Sequence, residues 1–314
     1  MQANNTTTII YHRSDPDGWF SNTVCRKFLP SDTVSIGWDY SDPVPKLPAE
    51  GDIYMVDISV DTILDGRSDV NRDRVIWIDH HKTAIDRWNK LNIRGLRIEG
   101  VAACRLCWKW FHPATWSEEP ELKFIDWSQR QPGEPEALFL VGLRDVWKHD
   151  GTAHKQTCNH LNLALVAYRD NERLRYCLID GGDHSVALDD EEILTNLLRD
   201  GAAIERYADN LNKEHAERGA MVRHWRGLDW MILNSQARGS KVLSDHAWPV
   251  PVDALMVWAV GGDGQVNLSL YHAPGRTDLD LSVIAKEHGG GGHPGACGFR
   301  TNLTIIHNII CTQD

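Results

Sequence analysis

Histidines and aspartates are concentrated in a few short stretches of this sequence. Residues 11–18 read Tyr-His-Arg-Ser-Asp-Pro-Asp-Gly, which places His12, Asp15 and Asp17 within six positions, and residues 79–81 read Asp-His-His. Mixed carboxylate and imidazole groups suit manganese or a similar divalent cation. These stretches therefore indicate a metal site. Asp15 and Asp17 are also typical of a turn before a helix, and that alternative stays open.

The apolar runs that precede these residues indicate how the chain brings them together. Four such runs each end in a histidine or a carboxylate: 7–11 before His12, 53–56 before Asp57, 75–78 before Asp79, and 137–144 before Asp145. In open α/β sheets, ligands bind at the carboxyl ends of the strands. We therefore expect these groups to meet at one edge of a sheet.

A cluster of this size calls for more than one cation. It contains five aspartates and three histidines, which is more than one octahedral ion can use as ligands. Crowded carboxylates repel one another unless cations neutralise them. A carboxylate shared by two ions would hold them about 3.5 to 4 Å apart, as in two-metal hydrolases. The sequence therefore predicts a two-metal centre.

Alternating strand-like and helical runs predict how the chain is organised. The first half predicts a parallel sheet with crossover helices, a long charged run at 189–225 predicts a helical connector, and further strands follow. The predicted strands are 7–11, 33–38, 52–58, 74–78, 230–234, 254–260 and 266–271, and the predicted helices are 19–28, 100–111 and 135–143. The fold class is thus α/β, with an N-terminal parallel-sheet domain (1–188), a helical connector (189–227) and a smaller α/β C-terminal domain with a mixed sheet (228–314).

Composition narrows the function classes. The 314 residues are 42% hydrophobic and 25% charged, which excludes disordered and fibrous proteins. The net charge of −11 argues against a surface that tracks long nucleic acids, because such surfaces neutralise many phosphates with Lys and Arg. No apolar run is long enough for a membrane helix, and the polar start is unlike a secretion signal, so we expect a cytoplasmic protein.

The seven cysteines are odd in number and scattered, which does not indicate a disulfide framework. Cys104 and Cys107 form a Cys-x-x-Cys pair with no second pair nearby. Both a zinc site and simple core packing stay open for this pair. Hydrolysis by a metal-bound water needs no cysteine nucleophile, so we expect the thiols to take no part in the chemistry.

A Gly-rich stretch completes the set of motifs. Residues 289–298 read Gly-Gly-Gly-Gly-His-Pro-Gly-Ala-Cys-Gly. In chain order, residues 12–18, Asp57, residues 79–81, Asp145 and this Gly-rich stretch resemble the DHH phosphoesterase superfamily with a DHHA-type C-terminal domain. The resemblance covers nearly the whole chain. Within the superfamily, the chain looks most like the oligoribonuclease (nanoRNase) branch, with RecJ-like exonucleases as more distant relatives.

The resemblance implies two divalent metal ions, with Mn²⁺ expected and Mg²⁺ or Co²⁺ as alternatives. Asp57 would bridge the two ions. The implied ligands are His12, Asp15 and Asp57 for one ion, and Asp17, Asp57, His80 and Asp145 for the other.

The catalytic candidates that the resemblance implies are Asp79 and His81. Asp79 would orient its neighbours, as carboxylates beside metal-bound histidines do. His81 would face the scissile phosphate, and a histidine bonded to a strand carbonyl is the alternative for this residue. Four neighbours of Asp145 are further candidates for contact with substrate: Arg144, Trp147, Lys148 and His149.

In the second domain, the resemblance implies a loop that binds the end of the nucleotide chain away from the cut. Glycines would let the backbone approach an anion, and His293 would donate to a phosphate; a flexible loop before a strand is the alternative. Two positions depart from the family pattern: Cys297 replaces a common Ala, and Tyr271 replaces a nucleotide-gripping Arg. The substrate-binding candidates are Gly290, Gly291, Gly292, His293, Tyr271 and Arg276.

Together these features predict a manganese-dependent phosphoesterase that removes mononucleotides from short oligonucleotides. The alternative substrates are cyclic dinucleotides, linear dinucleotides and 3′-phosphoadenosine 5′-phosphate. Family II inorganic pyrophosphatases share the metal motifs but lack the Gly-rich His loop. A nucleotide-binding protein with a silent site is the non-enzymatic alternative, against which the complete ligand set argues. The expected partners are short oligonucleotides or dinucleotides and no membrane, and a homodimer stays open.

Overall fold

The computed structural model describes residues 6–40, 42–112, 125–180, 190–236, 241–244 and 251–311. The chain divides into two units, Met1–Glu205 and Arg206–Asp314. The division falls inside one long helix. The domain boundaries that the sequence predicts stay predictions.

A four-stranded parallel sheet forms the centre of the first unit, with strand order β2-β1-β3-β4. All four strands overlap the predicted runs, and the predicted parallel sheet is confirmed. The strands are β1 (Thr8–His12), β2 (Val34–Trp38), β3 (Ile53–Val56) and β4 (Val75–Ile78).

Helices cover both faces of this sheet, which explains why its strands are apolar at successive positions. Tyr54 and Val56 of β3 pack into the core on one face, and Ile53 and Met55 pack into the core on the other face. The helices of this unit up to residue 180 are α1 (Pro16–Phe28), α2 (Asp61–Leu64), α3 (Lys82–Trp88), α4 (Ala103–Phe111), α5 (Glu136–Asp145), α6 (Lys155–Ala167) and α7 (Glu172–Asp180).

The long charged run forms helix α8 (Asp190–Gly219), as predicted. Gly201 in this helix lies against the backbone of His160 in α6. A Cβ at position 201 would lie 1.9 Å from the carbonyl oxygen of His160, so this close approach requires glycine. Beside this contact, His160 Nε2 lies 2.9 Å from Glu205 Oε2.

The last residues of the predicted connector are not helical. They form strand β5 (Met221–Trp225), which pairs with β6 (Leu228–Asn234) through a two-residue turn. Both turn residues, Arg226 and Gly227, have positive φ angles of 55° and 74°. This conformation matches the twist of a β-hairpin, so the chain reverses where the sequence pattern indicates a continuing connector.

The second unit contains a mixed six-stranded sheet with strand order β5-β6-β7-β8-β10-β9, which confirms the predicted mixed sheet. The pair β6–β7 is parallel and the other pairs are antiparallel. None of the described helices is long and apolar enough to cross a membrane. The remaining elements are β7 (Ala254–Val260), β8 (Val266–His272), β9 (Gly291–His293), β10 (Ala296–Thr301), α9 (Lys241–Ser244), α10 (Ser282–Glu287) and α11 (Leu303–Cys311).

Candidate metal centre

Three parallel strands and two helices, α1 and α5, bring the predicted metal ligands together. His12 is the last residue of β1, Asp57 directly follows β3, and residues 79–81 directly follow β4. Because these strands are parallel, their carboxyl ends meet at one edge of the sheet. Asp145 is the last residue of helix α5, so the fourth apolar run is a helix and does not end a strand.

Asp15 caps a helix and also faces the cluster of predicted ligands. It is the N-cap of α1, where its Oδ1 accepts a hydrogen bond from the backbone N–H of Gly18 at 3.1 Å. Its Oδ2 lies 2.9 Å from Nδ1 of His12 and faces the cluster. A Cβ on Gly18 would lie 1.8 Å from the carbonyl oxygen of His12, so this turn requires glycine.

Asp57 occupies the centre of the cluster. It is 1% exposed, and its backbone is left-handed with a φ of 58°, a conformation that costs free energy for a residue other than glycine. Its Oδ2 lies 3.5 Å from His12 Nδ1, and its Oδ1 lies 3.3 Å from His80 Nε2. Within the described part of the chain, neither carboxylate oxygen has a hydrogen-bond partner. A strained backbone thus holds two unpaired buried oxygens at the shared point of the cluster.

Asp79 is buried like Asp57, but its oxygens are fully engaged. Its Oδ1 accepts from the backbone N–H groups of His80 and His81 at 2.7 and 3.1 Å and lies 2.7 Å from His81 Nδ1, while Oδ2 accepts from Trp77 Nε1 at 3.1 Å. This carboxylate fixes the orientation of both histidines and raises the pKa of His81, although burial opposes that shift. His81 therefore bonds a carboxylate and not a strand carbonyl, and its Nε2 has no partner among the described residues.

Asp17 connects the cluster to helix α4. Its two oxygens accept hydrogen bonds from the backbone N–H groups of Ala103 and Cys104 at 2.8 and 2.7 Å, and these are the first two residues of that helix. Its Oδ2 also lies 3.5 Å from His80 Nε2. Burial and the nearby charge of Asp57 raise the pKa of Asp17 to about 7.

Neighbouring charges shift the pKa values of three further groups. Burial and the charge of Asp17 raise the pKa of Asp145 to about 7. Burial lowers the pKa values of His12 and His80, but the adjoining carboxylates outweigh burial and raise both values to about 10. Without cations, this cluster therefore holds protons that an ordinary exposed group would release.

The ligand atoms fall into three overlapping groups, and within each group they lie within 4.8 Å of one another. Asp57 and His80 each belong to two of the groups. The groups are His12, Asp15 and Asp57; Asp17, His80 and Asp145; and Asp57, His80 and His81.

Buried atoms without hydrogen bonds make this cluster fit divalent cations. Nδ1 of His12, both oxygens of Asp57 and Oδ2 of Asp145 are buried and have only ion-pair contacts with other members of the cluster, with no hydrogen-bond partner in the described residues. Buried polar atoms are normally paired, and coordination to cations would pair these. The first group is the ligand set predicted for one ion, and the second contains three of the four ligands predicted for the other. The assignment of ligands to individual ions stays a prediction.

The residues that flank Asp145 differ in how accessible they are. Arg144 lines a small cavity of about 80 Å³ beside Asp15, Asp17 and Asp145, and its buried Nε has no partner in the described chain. Its guanidinium lies 5.4 Å from the ring of Trp147, which is 69% exposed on a left-handed backbone with a φ of 58°. Arg144 therefore faces a small cavity beside the cluster, and Trp147 is accessible from solvent.

The cysteine pair lies in the core of the first unit. Cys104 and Cys107 are both fully buried, and Cys107 Sγ lies 3.9 Å from Cys25 Sγ. Burial raises the pKa values of both thiols. Among the described residues, no cysteine belongs to a group that could hold a metal ion, which favours core packing over a zinc site.

Two of the four glycines at 289–292 are required by the sheet. A Cβ on Gly290 would lie 2.1 Å from the carbonyl oxygen of Gly298, and a Cβ on Gly292 would lie 2.6 Å from Cα of Cys297. A Cβ on Gly291 would meet nothing within 4 Å. Packing therefore does not explain glycine at position 291, where a ligand could approach the backbone. The stretch 291–293 is itself a short strand, β9, and not a flexible loop.

The other substrate-binding candidates lie on the same sheet. Ala296 of β10 pairs with His293 of β9 on one side and with Tyr271 of β8 on the other. Register partners share a face of the sheet, so His293 and Tyr271 flank the small Ala296 on that face. Arg276 forms ion pairs with Asp253 and Asp278. Tyr271 is therefore better placed than Arg276 to act beside His293.

No protein-family model matches the sequence, and no curated protein matches it. Solved structures do match over most of its length. The DHH domain of a protein assigned to a family of ribosomal proteins aligns with 98% of this chain and 85% of its own, with a TM-score of 0.54 and 11% identity. An exonuclease RecJ bound to manganese aligns with 97% of this chain and 88% of its own, with a TM-score of 0.50 and 13% identity.

A third similar structure is the pGpG-specific phosphodiesterase PggH from Vibrio cholerae. It aligns with 97% of this chain and 96% of its own, with a TM-score of 0.47 and 14% identity.

Proposed function

We propose, from the premise that this chain has the fold of the DHH-domain proteins, that it is a phosphodiesterase with two divalent ions. Its substrates would be short oligonucleotides, from which it releases mononucleotides. The fold that the sequence motifs predict is confirmed. The activity, the metal and the substrate are the proposal.

The observation that carries this proposal is the set of three ligand groups that overlap through Asp57 and His80. Two carboxylates, Asp57 and Asp145, and the imidazole of His12 have buried atoms without a hydrogen-bond partner in the described residues, and all three belong to these ligand groups. Such a cluster is electrostatically costly unless cations neutralise it. A protein with a silent site would have no chemical reason to keep these groups ionisable and unpaired.

Divalent ions at this centre would activate a water molecule near neutral pH and neutralise phosphoryl oxygens. One ion would be held by His12, Asp15 and Asp57, and the other by Asp17, Asp57, His80 and Asp145. The mixture of carboxylate oxygens and imidazole nitrogens suits Mn²⁺, with Mg²⁺ and Co²⁺ as alternatives.

His81 would act on the substrate directly. Asp79 binds its Nδ1, which leaves Nε2 as the donor toward a phosphoryl oxygen. The hydrogen bond to Asp79 raises the pKa of His81 and so favours the protonated imidazole, which would stabilise negative charge on the phosphoryl group. Asp79 is then a positioning residue, and His81 is the catalytic residue.

Charge favours a short substrate. The 33 basic residues are outnumbered by 44 acidic ones, and affinity for long strands depends on neutralising many phosphates. We therefore expect a preference for oligomers below about five nucleotides and weak processivity on longer strands.

The cysteines of the protein are free thiols, which are typical of cytoplasmic proteins, and we therefore expect this activity in the cytoplasm.

A product time course tests the proposal. RNA oligomers labelled at the 5′ end, from about two to about twenty-five nucleotides long, are incubated with Mn²⁺, with Mg²⁺ or with EDTA. We expect metal-dependent release of mononucleotides that is fastest for the shortest oligomers, and none in the Asp57→Asn variant. Equal turnover of dinucleotides and the longest strands would contradict the length preference.

The same assay separates the alternative functions. Cyclic dinucleotides and 3′-phosphoadenosine 5′-phosphate belong in the substrate panel, because hydrolysis confined to either would redirect the substrate assignment. No hydrolysis of any of these compounds with Mn²⁺, Mg²⁺ or Co²⁺, together with nucleotide binding, would favour the non-enzymatic alternative.

A further inference from the structure

A second polar cavity opens in the first unit, beside the loop that carries the predicted metal ligands. It has a volume of about 590 Å³, which is large enough for a nucleotide. Arg13 and Ser14, which line it, stand between His12 and Asp15 in the chain. We call this cavity the Arg175 pocket, and its main lining residues are Tyr11, Arg13, Ser14, Trp19, Arg169 and Arg175.

Arg175 in helix α7 is the unusual residue of this pocket. It is 7% exposed, and its Nη1 donates to the backbone carbonyl of Arg169 at 2.7 Å. Its Nε is buried with no hydrogen-bond partner in the described residues. Glu172 and Asp170 act on the guanidinium electrostatically, but neither forms an ion pair with it. A buried guanidinium with an unsatisfied N–H is costly, and a bound anion would offset that cost.

The aromatic surroundings keep Arg175 in place. Its guanidinium lies 5.5 Å from the ring centroid of Trp19, a residue of helix α1. Trp19 is itself fixed, because its Nε1 donates to the backbone carbonyl of Arg13 at 2.6 Å. The ring thus supports the guanidinium on one side without neutralising it.

The other charges of the pocket limit where an anion can bind. Arg13 is already paired with Asp42, with both of its Nη atoms 2.9 Å from that carboxylate. Asp170 and Glu172 also line the pocket and are exposed, so they would repel an anion at the rim. Arg169 is exposed and has no ion pair among the described residues. The free positive charge therefore belongs to Arg175 and Arg169.

We infer that the Arg175 pocket binds a nucleotide phosphate other than the one that is hydrolysed. A planar guanidinium is suited to a phosphate, because its N–H groups can donate in pairs to two oxygens. The position next to the metal-ligand loop makes a neighbouring phosphate of the substrate the expected occupant, and this part of the inference rests on the proposed function. A free mononucleotide carries the same chemistry, and the experiment below separates the two sources.

Binding to the metal-free protein tests the pocket without any catalysis. Protein treated with EDTA is titrated with AMP and with inorganic phosphate in a calorimeter. We expect Arg175→Met to weaken AMP binding by about tenfold or more, since hydrogen bonds between charged groups are lost. Arg169→Met should weaken it less. Arg67→Met, at an exposed arginine paired only with Asp65 in the described chain, is the matched control and should bind as wild type does.

Kinetics with Mn²⁺ identify the source of the phosphate. For a dinucleotide that carries a 5′-phosphate, Arg175→Met should raise KM by about tenfold, while KM for the same dinucleotide without that phosphate should change little. Loss of AMP binding with both KM values unchanged would assign the pocket to a free mononucleotide instead.

The outcomes keep this inference apart from the proposed function. AMP binding that depends on Arg175 in a protein without hydrolytic activity would support the pocket and refute the enzyme. Equal AMP affinity in wild type and Arg175→Met, or no AMP binding by wild type, would overturn the pocket whatever the activity. Thermal melting checks the fold of Arg175→Met, and Arg169→Met provides an exposed second variant whose side chain is not part of the core.

Discussion

The strand-end cluster of the first unit and the Gly-rich stretch of the second unit are built in opposite ways. In the cluster, the proposed chemistry depends on side chains, and the backbone of Asp57 adopts a costly left-handed φ that places its carboxylate among them. In the Gly-rich stretch, the backbone comes first: Gly290 and Gly292 have no side chain because the neighbouring strand leaves no room for one. Asp17 and Asp57 of the cluster are buried, whereas His293 is exposed.

This difference indicates how each region would respond to substitution. A change in the buried cluster alters charge balance, metal binding and chemistry together, because its atoms are shared between ligand groups. A change at the exposed His293 removes one contact and leaves the rest of the sheet as it is. The two regions therefore differ in the size and in the specificity of the effects that we expect.

The largest effect is expected at Asp57, where the two ligand groups meet. Asp57→Asn should lower hydrolysis with Mn²⁺ by about three orders of magnitude, because both ions lose a ligand that stabilises the transition state. Asparagine tolerates the left-handed backbone, so the fold should persist. Rates and metal content are measured for Asp57→Asn and for Asp145→Asn, which should lose one ion and less activity. Manganese-stimulated activity of Asp57→Asn within a few-fold of wild type would refute the bridging role.

A smaller loss is expected at Asp79, which touches the histidines but would not touch the ions. Asp79→Asn should weaken Mn²⁺ affinity by about 10-fold to 100-fold, since His80 and His81 lose the carboxylate that orients them. Activity should return in part at high Mn²⁺ concentration, unlike that of Asp57→Asn. Titration of the rate with Mn²⁺ measures this, and an unchanged half-saturating concentration would show that the orienting bonds do not matter.

His293 tests the other side of the comparison. His293→Ala should lower kcat/KM for a dinucleotide by about tenfold and leave that for a small chromogenic phosphodiester nearly unchanged, because the small diester has no far end to bind. The control is His307→Ala, at an exposed histidine of the same unit. An equal loss on both substrates would mean that His293 supports the fold, and no loss on either would remove it from the mechanism.

The smallest effect is on stability, and it follows from the raised pKa values of the cluster. Asp17 and Asp145 have pKa values of about 7, and His12 and His80 have values of about 10. The unfolded values are about 3.9 for Asp and 6.5 for His, so the folded protein binds more protons and loses stability as pH rises through these ranges. In EDTA, Tm should fall by at least about 4 °C between about pH 5 and about pH 9.

Bound metal should reverse this trend. Cations bind the deprotonated ligands, so the rise in Tm caused by Mn²⁺ should increase with pH over the same range. Melting curves with and without Mn²⁺ at several pH values check both expectations. A Tm in EDTA that does not change with pH would mean that the cluster is not under electrostatic strain.

The sequence predicted the cluster because strand ends in a parallel sheet are neighbours in space. His12, Asp57 and Asp79 each follow an apolar run, and this pattern can be recognised in the sequence alone. The turn at Arg226 and Gly227 is harder to predict from the sequence, because an Arg-Gly pair is a less common hairpin signal than Asn-Gly. The start of β5 was therefore hidden in the predicted connector.

The Arg175 pocket could not be predicted from the sequence. Arg175 lies on α7, far along the chain from Trp19 and the loop at Arg13, and the packing of α7 against α1 alone brings them together. No spacing rule links such residues. An arginine in a helical pattern is most often exposed, so the burial of Arg175 without an ion pair among the described residues is known only from the structure.

The hydrogen bonds from helix α4 to Asp17 would make the interior of the protein sensitive to a cation at the proposed centre. With a cation bound, Asp17 would be a full carboxylate and would accept strongly from the amides of Ala103 and Cys104. Without the cation, a pKa of about 7 lets Asp17 take up a proton, and both acceptors weaken. Hydrogen exchange at these two amides would thus report on occupancy of the centre, in a protein that has been given no substrate at all.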